Sequence, residues 1–399
     1  MTNELTEAIP FQVHRKTDYP PMADQLKAVF NQVLELRRNR KQQVRKPIRV
    51  RRHLDAVILD CWIAANHSDN PWRTVSRNKT DYRKETRYRR IYLKYDLLMG
   101  ILDDLVELGY IDQKIGFHDR VSGIGRQTRI KATNRLLEIL NHFDIKQIVR
   151  DPEAPLDETI IKKDADGKLI DYVDDRFITA DRAFLFECNN KFMGVPINTD
   201  NIDIRCKHDP TSITLKRIFK GEGGGRFYGG FWQTLPKPER QKLLLDNGPV
   251  VELDYSAYHP TIAYAFKGIT LTDDPYTIDG CERSDVKKAF LVLFNCRDRK
   301  HAINTIRSFG VKNVAHLVAA IEAKHEPIKG YFYDPGFGMT LQNTDSWICE
   351  SIMKSLMADG IVCLPIHDSF IVAEEHAEVL RGVMLKVFFD RLGVIPKVY

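Results

Sequence analysis

The sequence lacks the features that mark secreted, disulfide-stapled and membrane-spanning proteins. Its 399 residues include only seven cysteines, an odd number, and no two of them have the Cys-x-x-Cys spacing of a zinc site. No apolar run approaches the length of a transmembrane helix, and the first ten residues, MTNELTEAIP, are too polar for a secretory signal. These absences predict a cytoplasmic protein with reduced thiols and no membrane partner.

Acidic residues are almost missing from two stretches of the N-terminal half. Residues 37–52 contain nine Lys or Arg and no Asp or Glu, and residues 73–94 contain nine more against only Asp81 and Glu85. The formal charge of the whole chain is only +6, so its cations are concentrated here. Such patches attract polyanions and bind phosphates in a salt-dependent way. The alternative is a solvated basic face or a disordered tail.

Hydrophobic periodicity predicts a helix followed by two short strands. In residues 96–109, DLLMGILDDLVELG, leucine and isoleucine recur on one helical face, with Asp96 as the expected N-cap and Gly109 as the stop. YIDQKIGF and TRIKAT then resemble strands joined by a basic turn. This order is typical of a winged helix-turn-helix, although a plain β-hairpin packed on a helix has the same pattern. In the winged interpretation, four residues on or near the wing contact nucleic acid: Arg120, Arg126, Arg129 and Lys131.

Composition suggests four segments. We interpret residues 1–53 as an N-terminal helix and basic arm, and residues 54–150 as a mainly helical, winged-helix-like nucleic-acid-binding domain. Residues 151–175 are acidic and polar, which favours a connector. Residues 176–399 mix β-rich and helical pieces, so the expected fold class is α+β.

Two carboxylates end short β-type runs in this last segment. PVVELDY brings Asp254 to the end of one run, and IVCLPI is followed by His367, Asp368 and the strand-like FIVA. Acids at the ends of adjacent strands can hold two Mg²⁺ ions that activate a hydroxyl and stabilise a leaving pyrophosphate. Taken singly, each aspartate is more often a turn former. His259 and His367 are not assigned to metal, because Mg²⁺ prefers oxygen ligands.

Two further segments favour phosphate binding. The run GGGRFYGGFWQ at 223–233 combines glycines, whose backbone N–H groups can approach phosphates, with aromatics that can stack on bases and with Arg226. The alternative is an aromatic turn in the core. Arg283 and Lys287 have the i, i+4 spacing of one helical face, where two cations suit a triphosphate, and Lys288 competes with Lys287 for this role. The alternative here is a solvated basic turn.

In chain order, four segments resemble motifs of family A DNA polymerases and their single-subunit phage RNA polymerase relatives. DYSAYHP at 254–260 resembles motif A, and HDSF at 367–370 resembles motif C in its RNA polymerase form. GRF and QTLP, at 225–227 and 233–236, resemble the segment that touches the primer–template. QNTD at 342–345 resembles the segment preceding motif C. The resemblance spans roughly residues 223–372 and implies a polymerase palm with an antiparallel sheet and reduced helical fingers.

The resemblance also implies roles for individual residues. Asp254, Asp368 and the backbone of Tyr255 would hold two Mg²⁺ ions, for which Mn²⁺ could substitute, and Lys287 would bind the triphosphate and act as a general acid. Nucleotide contacts are expected from Arg283, Lys287, Lys288, Tyr255, Ser256, His259 and Asn295. Contacts to a DNA primer–template, or to RNA, are expected from Arg226, Gln233, Gln342 and His367.

Two departures from the family pattern leave the nucleotide open. Arg283 and Lys287 resemble the R-x-x-x-K of the family's motif B, but that motif carries a tyrosine where this chain has Asn295. Motif A of the DNA enzymes carries a glutamate where this chain has His259. The sequence therefore does not choose between dNTPs and NTPs. We expect a compact DNA polymerase of phage or plasmid replication, without proofreading and of low processivity. The alternatives are a single-subunit RNA polymerase or primase, and a non-catalytic DNA-binding replication initiator.

Overall fold

The chain divides into two units in a computed structural model that describes residues 8–118, 125–205, 209–221 and 223–399. The first unit comprises Met1–Glu158 with Asp203–Ser212, and the second comprises Thr159–Ile202 with Ile213–Tyr399. Arg120, expected on the wing, lies outside the described residues. Both units mix helices with open sheets, which agrees with the expected α+β class. No helix in the described ranges is long and apolar enough to cross a membrane.

The first unit packs four helices against a four-stranded sheet. The helices are α1 (Pro20–Asn39), α2 (Pro47–His67), α3 (Tyr95–Glu107) and α4 (Asn134–Leu140). The strands are β1 (Ile9–Pro10), β2 (Arg15–Thr17), β3 (Arg73–Val75), β4 (Ile111–Lys114), β5 (Phe117–His118), β6 (Gly125–Arg126), β7 (Thr128–Ala132) and β8 (Ile148–Arg150). The main sheet has the order β1-β3-β7-β4, and β5 pairs with β6 between β4 and β7.

Local sequence explains the helices of this unit. α1 begins with two prolines and buries five apolar residues at helical spacing: Met22, Leu26, Val29, Phe30 and Val33. The predicted helix α3 is confirmed, and Gly109 follows it with φ +72°, but the helix starts at Tyr95 with Lys94 rather than Asp96 at the N-cap. Residues 37–52 form the end of α1, a turn and the start of α2 instead of an extended arm.

The second unit is built around an antiparallel five-stranded sheet. Its helices are α5 (Arg176–Gly194), α6 (Lys237–Arg240), α7 (Tyr258–Ala265), α8 (Arg283–Leu293), α9 (Arg299–Ser308), α10 (Val314–Lys324), α11 (Pro335–Ala358) and α12 (Ala377–Leu392). Its strands are β9 (Ile160–Lys163), β10 (Ile197–Asn198), β11 (Lys216–Lys220), β12 (Gly223–Tyr228), β13 (Leu244–Leu245), β14 (Gly248–Asp254), β15 (Leu364–Ile366) and β16 (Ser369–Ala373).

Strand order in the second unit brings two distant parts of the chain together. The five-stranded sheet has the order β10-β13-β14-β16-β15, and a smaller sheet has the order β12-β11-β9. Strand β9 of the smaller sheet lies within residues 151–175, which were expected to be a connector, and it pairs parallel to β11. In the larger sheet β14 and β16 are direct neighbours, although more than a hundred residues separate them in sequence.

Candidate functional site

The two predicted carboxylates lie side by side at one end of the five-stranded sheet. Asp254 is the last residue of β14 and pairs with Ser369, the first residue of β16. Asp368 occupies the two-residue turn between β15 and β16, and its carbonyl oxygen accepts a hydrogen bond of 3.3 Å from the Tyr255 N–H. Antiparallel pairing thus brings the two acids to adjacent backbone positions.

Both turns beside the acids contain a non-glycine residue in a left-handed conformation. Ala257 has φ +45° just before α7, and His367 has φ +53° just before Asp368. Such conformations cost about 1 kcal/mol or more for a residue with a Cβ, and they concentrate at functional sites. Two of them flanking one acid pair therefore favour a functional role for this end of the sheet.

Electrostatics at the acid pair favour the presence of a positive charge. Burial, together with the neighbouring Asp368, raises the pKa of Asp254 to about 6. The Oδ1 atom of Asp254 is buried and has no hydrogen-bond partner within the described part of the chain. Lys237 and Lys287 act in the opposite direction and lower the pKa of Asp254, so both ammonium groups lie within electrostatic range.

Lys237 was missed by the sequence interpretation. It begins α6, which is fixed to the sheet because Arg240 donates two hydrogen bonds, of 2.9 and 2.7 Å, to the Glu252 carboxylate on β14. Glu252 lies two residues before Asp254 and on the same side of the strand. Lys237 is exposed and has no ion-pair partner in the described parts of the chain. The contact between Arg240 and Glu252 brings Lys237 towards the acids, and no local sequence pattern predicts this position.

The three cations on helix α8 that were expected to bind a triphosphate have different surroundings. Its N-cap is Glu282, so Arg283 opens the helix, where its Nε atom lies 2.6 Å from the Asp274 carboxylate. Lys288 is paired with Asp285 at 3.3 Å. Lys287 is exposed, and its charge lowers the pKa of Asp254.

The glycine-rich run has a packing role that the sequence did not predict. A Cβ atom on Gly223 would lie 2.3 Å from Met339 Sδ, and one on Gly225, whose φ is +75°, would lie 2.7 Å from the Phe219 ring. The Gly224 N–H donates to Asn343 Oδ1 at 2.7 Å. These glycines therefore bring β12 close to α11 and β11, and the Gly224 N–H is already used within the fold.

Arg226, the next residue on β12, connects three elements. Its guanidinium forms an ion pair with the buried Asp345 on α11 and a 3.2 Å hydrogen bond with His259 Nε2 on α7. Arginine can only donate, so Nε2 of His259 accepts. Burial and Arg226 lower the pKa of His259 to about 4, which keeps its ring neutral. Asp345 is a second residue that the sequence interpretation did not assign to the site.

Other predicted site residues have contacts elsewhere in the second unit. The Tyr255 ring is buried and its hydroxyl donates to the Met384 carbonyl, so only its backbone borders the acids. Gln233 donates both amide hydrogens, to Phe227 and Pro365 carbonyls at 3.0 Å each.

The remaining predicted residues of this unit lie at or near its helices and turns. Ser256 donates its N–H to the Lys397 carbonyl next to the acids, and Gln342 is half-buried on α11. Asn295 follows α8 and donates to the Leu291 carbonyl. The His367 ring packs edge-on against Tyr228, 5.1 Å between ring centres.

The donor set at the acid pair fits a hydrated oxygen-binding cation. Two carboxylates suit Mg²⁺, which keeps several of its waters, and the unpartnered Asp254 oxygen is available as a ligand. In the described ranges, no group of three or more His, Cys, Asp or Glu side chains is arranged to hold a metal. Any ion here would therefore depend on Asp254 and Asp368, with backbone and water supplying other ligands.

In the first unit, part of the basic run is neutralised within the fold. Arg37 and Arg40 both pair with Asp104 of α3, and Arg51 and Arg52 also have acidic partners. Five cations of the run are exposed and have no ion-pair partner among the described residues: Arg38, Lys41, Arg45, Lys46 and Arg49.

The predicted wing residues lie on strands β6 and β7. Arg129 is buried opposite Lys114, and Lys131 lies 3.5 Å from Asp112. The ammonium groups of Lys114 and Lys131 each lie 5.1 Å from the centre of the Trp72 ring. Arg126, on β6, lies close enough to lower the pKa of Arg129, though burial lowers it more.

Comparison with known proteins does not extend these observations. No protein-family model matches the chain, and no curated protein matches it significantly. A function for this chain must therefore be inferred from the residues of the site itself.

Proposed function

We propose that the chain is a template-dependent nucleotidyltransferase, a compact polymerase whose acid pair is Asp254 and Asp368. The observation that carries the proposal is the pairing of β14 with β16, which joins two carboxylates 114 positions apart at one strained sheet end. The antiparallel sheet, with α12 packed on β14 and β16, supports the interpretation as a palm. Lys287 on α8 supports the interpretation of this helix as part of the fingers.

This chain's residues would divide the chemistry as follows. Asp254 and Asp368 would hold two Mg²⁺ ions, which when bound supply Lewis-acid activation of a hydroxyl and stabilise a pyrophosphate leaving group. Lys287 would bind the triphosphate and donate a proton to the pyrophosphate, and the exposed Lys237 would bind a phosphate of the nucleic acid. Arg226 would contact the primer–template.

The first unit would bind the nucleic acid by charge. The strand order β3-β7-β4, with β3 between α2 and α3, supports a winged-helix interpretation. Helix α3, in the position of a recognition helix, carries acids that pair with neighbouring cations, namely Asp96, Asp103 and Asp104. We therefore propose that the exposed cations of residues 38–49 and the Lys114–Lys131 face, rather than α3, contact phosphates.

Nucleotide incorporation tests the proposal. Wild-type protein is incubated with Mg²⁺ and primed or unprimed templates, with dNTPs and NTPs in parallel, beside Asp254→Asn and the matched exposed-acid control Asp359→Asn. Loss of several kcal/mol of charge stabilisation predicts a rate lower on the order of 10³-fold for Asp254→Asn alone. Incorporation that survives Asp254→Asn would contradict the acid pair as the catalytic centre, and no incorporation under any condition would leave a non-catalytic DNA-binding initiator. The nucleotide used, and the need for a primer, separate a DNA polymerase from an RNA polymerase or primase.

A further inference from the structure

Asp345 is a buried carboxylate on α11 with one cationic partner among the residues that the structure describes. It is only 1% exposed, and the Arg226 guanidinium is its ion-pair partner. A buried carboxylate without a cationic partner is strongly destabilising, so Asp345 and Arg226 are held to each other. Asp345 also lies within electrostatic range of Asp368, because Asp368 acts to raise the pKa of Asp345.

Backbone hydrogen bonds, in addition to this ion pair, attach the strand that carries Arg226 to α11. Asn343 accepts from the Gly224 N–H at 2.7 Å, and the Ser346 hydroxyl donates to the Gly225 carbonyl. Arg217 of β11 donates to the same Gly225 carbonyl at 2.9 Å. The backbone on the N-terminal side of Arg226 is therefore fixed, so the charge of Asp345 acts mainly on the position of the guanidinium.

Arg226 also lies close to the acid pair. Tyr228 lies two residues after Arg226 on the same face of β12, and its ring packs 5.1 Å, centre to centre, from the ring of His367, the neighbour of Asp368 in the turn. A guanidinium released at this point would be attracted to two adjacent carboxylates, with which it can form bidentate hydrogen bonds. Bound there, it would compete with any cation for the same oxygens.

We propose that Asp345 is a positioning residue that holds Arg226 away from Asp254 and Asp368 and so keeps their oxygens free for divalent cations. His259 completes the arrangement, since its Nε2 atom accepts from the same guanidinium at 3.2 Å. The inference depends on the proposed function, because it assumes that the acid pair binds Mg²⁺.

Mn²⁺ binding to the full chain, followed by electron paramagnetic resonance of the free ion, tests this role without catalysis. Asp345→Asn frees the guanidinium and should weaken the Asp254-dependent Mn²⁺ site at least about tenfold. Asp345→Asn combined with Arg226→Gln removes the competitor and should restore affinity to within about threefold of wild type. Asp181→Asn, which removes an acidic partner from the buried Arg217 of the same unit, is the matched control and should leave Mn²⁺ affinity unchanged.

The outcomes separate this inference from the proposed function. If wild type does not bind Mn²⁺, or if its Mn²⁺ site survives Asp254→Asn, the proposed function itself is wrong. If that site exists but Asp345→Asn binds Mn²⁺ like wild type, or the double variant stays as weak as the single one, the positioning role is wrong. Circular dichroism checks folding. Should Asp345→Asn not fold, Arg226→Gln alone decides: binding at least as tight as wild type supports the role, and weaker binding contradicts it.

Discussion

Asp368 lies close enough to Asp254 for its negative charge to hinder ionisation of Asp254, and this charge, after burial, raises the pKa of Asp254 to about 6. Natural proteins retain such unfavourable pairs mainly where a cation or a proton is used. The acid pair therefore links a cost in stability to a proposed gain in function.

Removing one of these charges should stabilise the metal-free protein. The pKa of Asp254 is higher in the folded than in the unfolded chain, so the folded state binds more protons between about pH 4 and 6 and becomes less stable as pH rises through this window. Above pH 6, Asp254→Asn should raise the free energy of unfolding by roughly 1 kcal/mol after allowance for solvent screening. Denaturant titrations in EDTA at pH 4 and pH 7.5 measure this, and a variant no more stable than wild type at pH 7.5 would contradict it.

Lys287 and Lys288 are adjacent but should differ in effect. Lys287 acts on Asp254, whereas Lys288 is paired with Asp285. Lys287→Ala should raise the KM for nucleotide at least about tenfold because a triphosphate loses a charge-assisted contact. Lys288→Ala, the matched control, should change it less than about twofold. Steady-state incorporation kinetics measure both, and equal effects would mean that α8 does not bind the triphosphate through Lys287.

Ion pairing divides the basic run into residues that can and cannot bind phosphates. Replacing the exposed Arg45 and Lys46 by glutamine should weaken duplex binding and reduce the slope of log K against log salt by about 2. Replacing Arg51 and Arg52, which have acidic partners, removes the same charge and should leave the slope nearly unchanged. Fluorescence anisotropy at several salt concentrations distinguishes them. Identical slopes in the two double variants would remove residues 45 and 46 from the interface.

Gly225 should tolerate no side chain. Gly225→Ala combines a positive φ with a Cβ at 2.7 Å from Phe219, so it should destabilise the second unit by roughly 2–4 kcal/mol. Gly167→Ala has a similar φ, +84°, but open space around the Cβ, and should cost only about 1 kcal/mol. Denaturant unfolding compares the two, and similar losses would show that packing against β11 is not what requires Gly225.

The sequence could predict a site residue or a helix where a few neighbouring residues mark it, and could not where a distant contact positions it. Asp254 and Asp368 could be found because a strand followed by an acid is visible in a few residues, and family-like motifs surrounded them. The helical period of α3 and its stop at Gly109 are equally local. Lys237 could not be found, since the Arg240–Glu252 pair positions it. Asp345 lies in the QNTD segment that resembles a family motif, but its ion pair with Arg226 has no local signal that would give it a role.

The glycine-rich segment shows a different limit. Glycines that let a backbone approach a phosphate and glycines that let a strand approach a helix leave the same sequence pattern. The Cβ positions of Gly223 and Gly225 identify the second use here. Charge density misleads in a similar way, because the partners that neutralise Arg37 and Arg40 lie more than sixty residues away on α3.

The most direct test of the central claim is whether Mn²⁺ binding needs both Asp254 and Asp368. Electron paramagnetic resonance titrations should find Mn²⁺ binding in wild type and in Asp359→Asn, and its loss in both Asp254→Asn and Asp368→Asn, because one shared site needs both carboxylates. Mn²⁺ binding that is unaffected by either substitution, or that depends on only one of the two acids, would contradict a shared catalytic site.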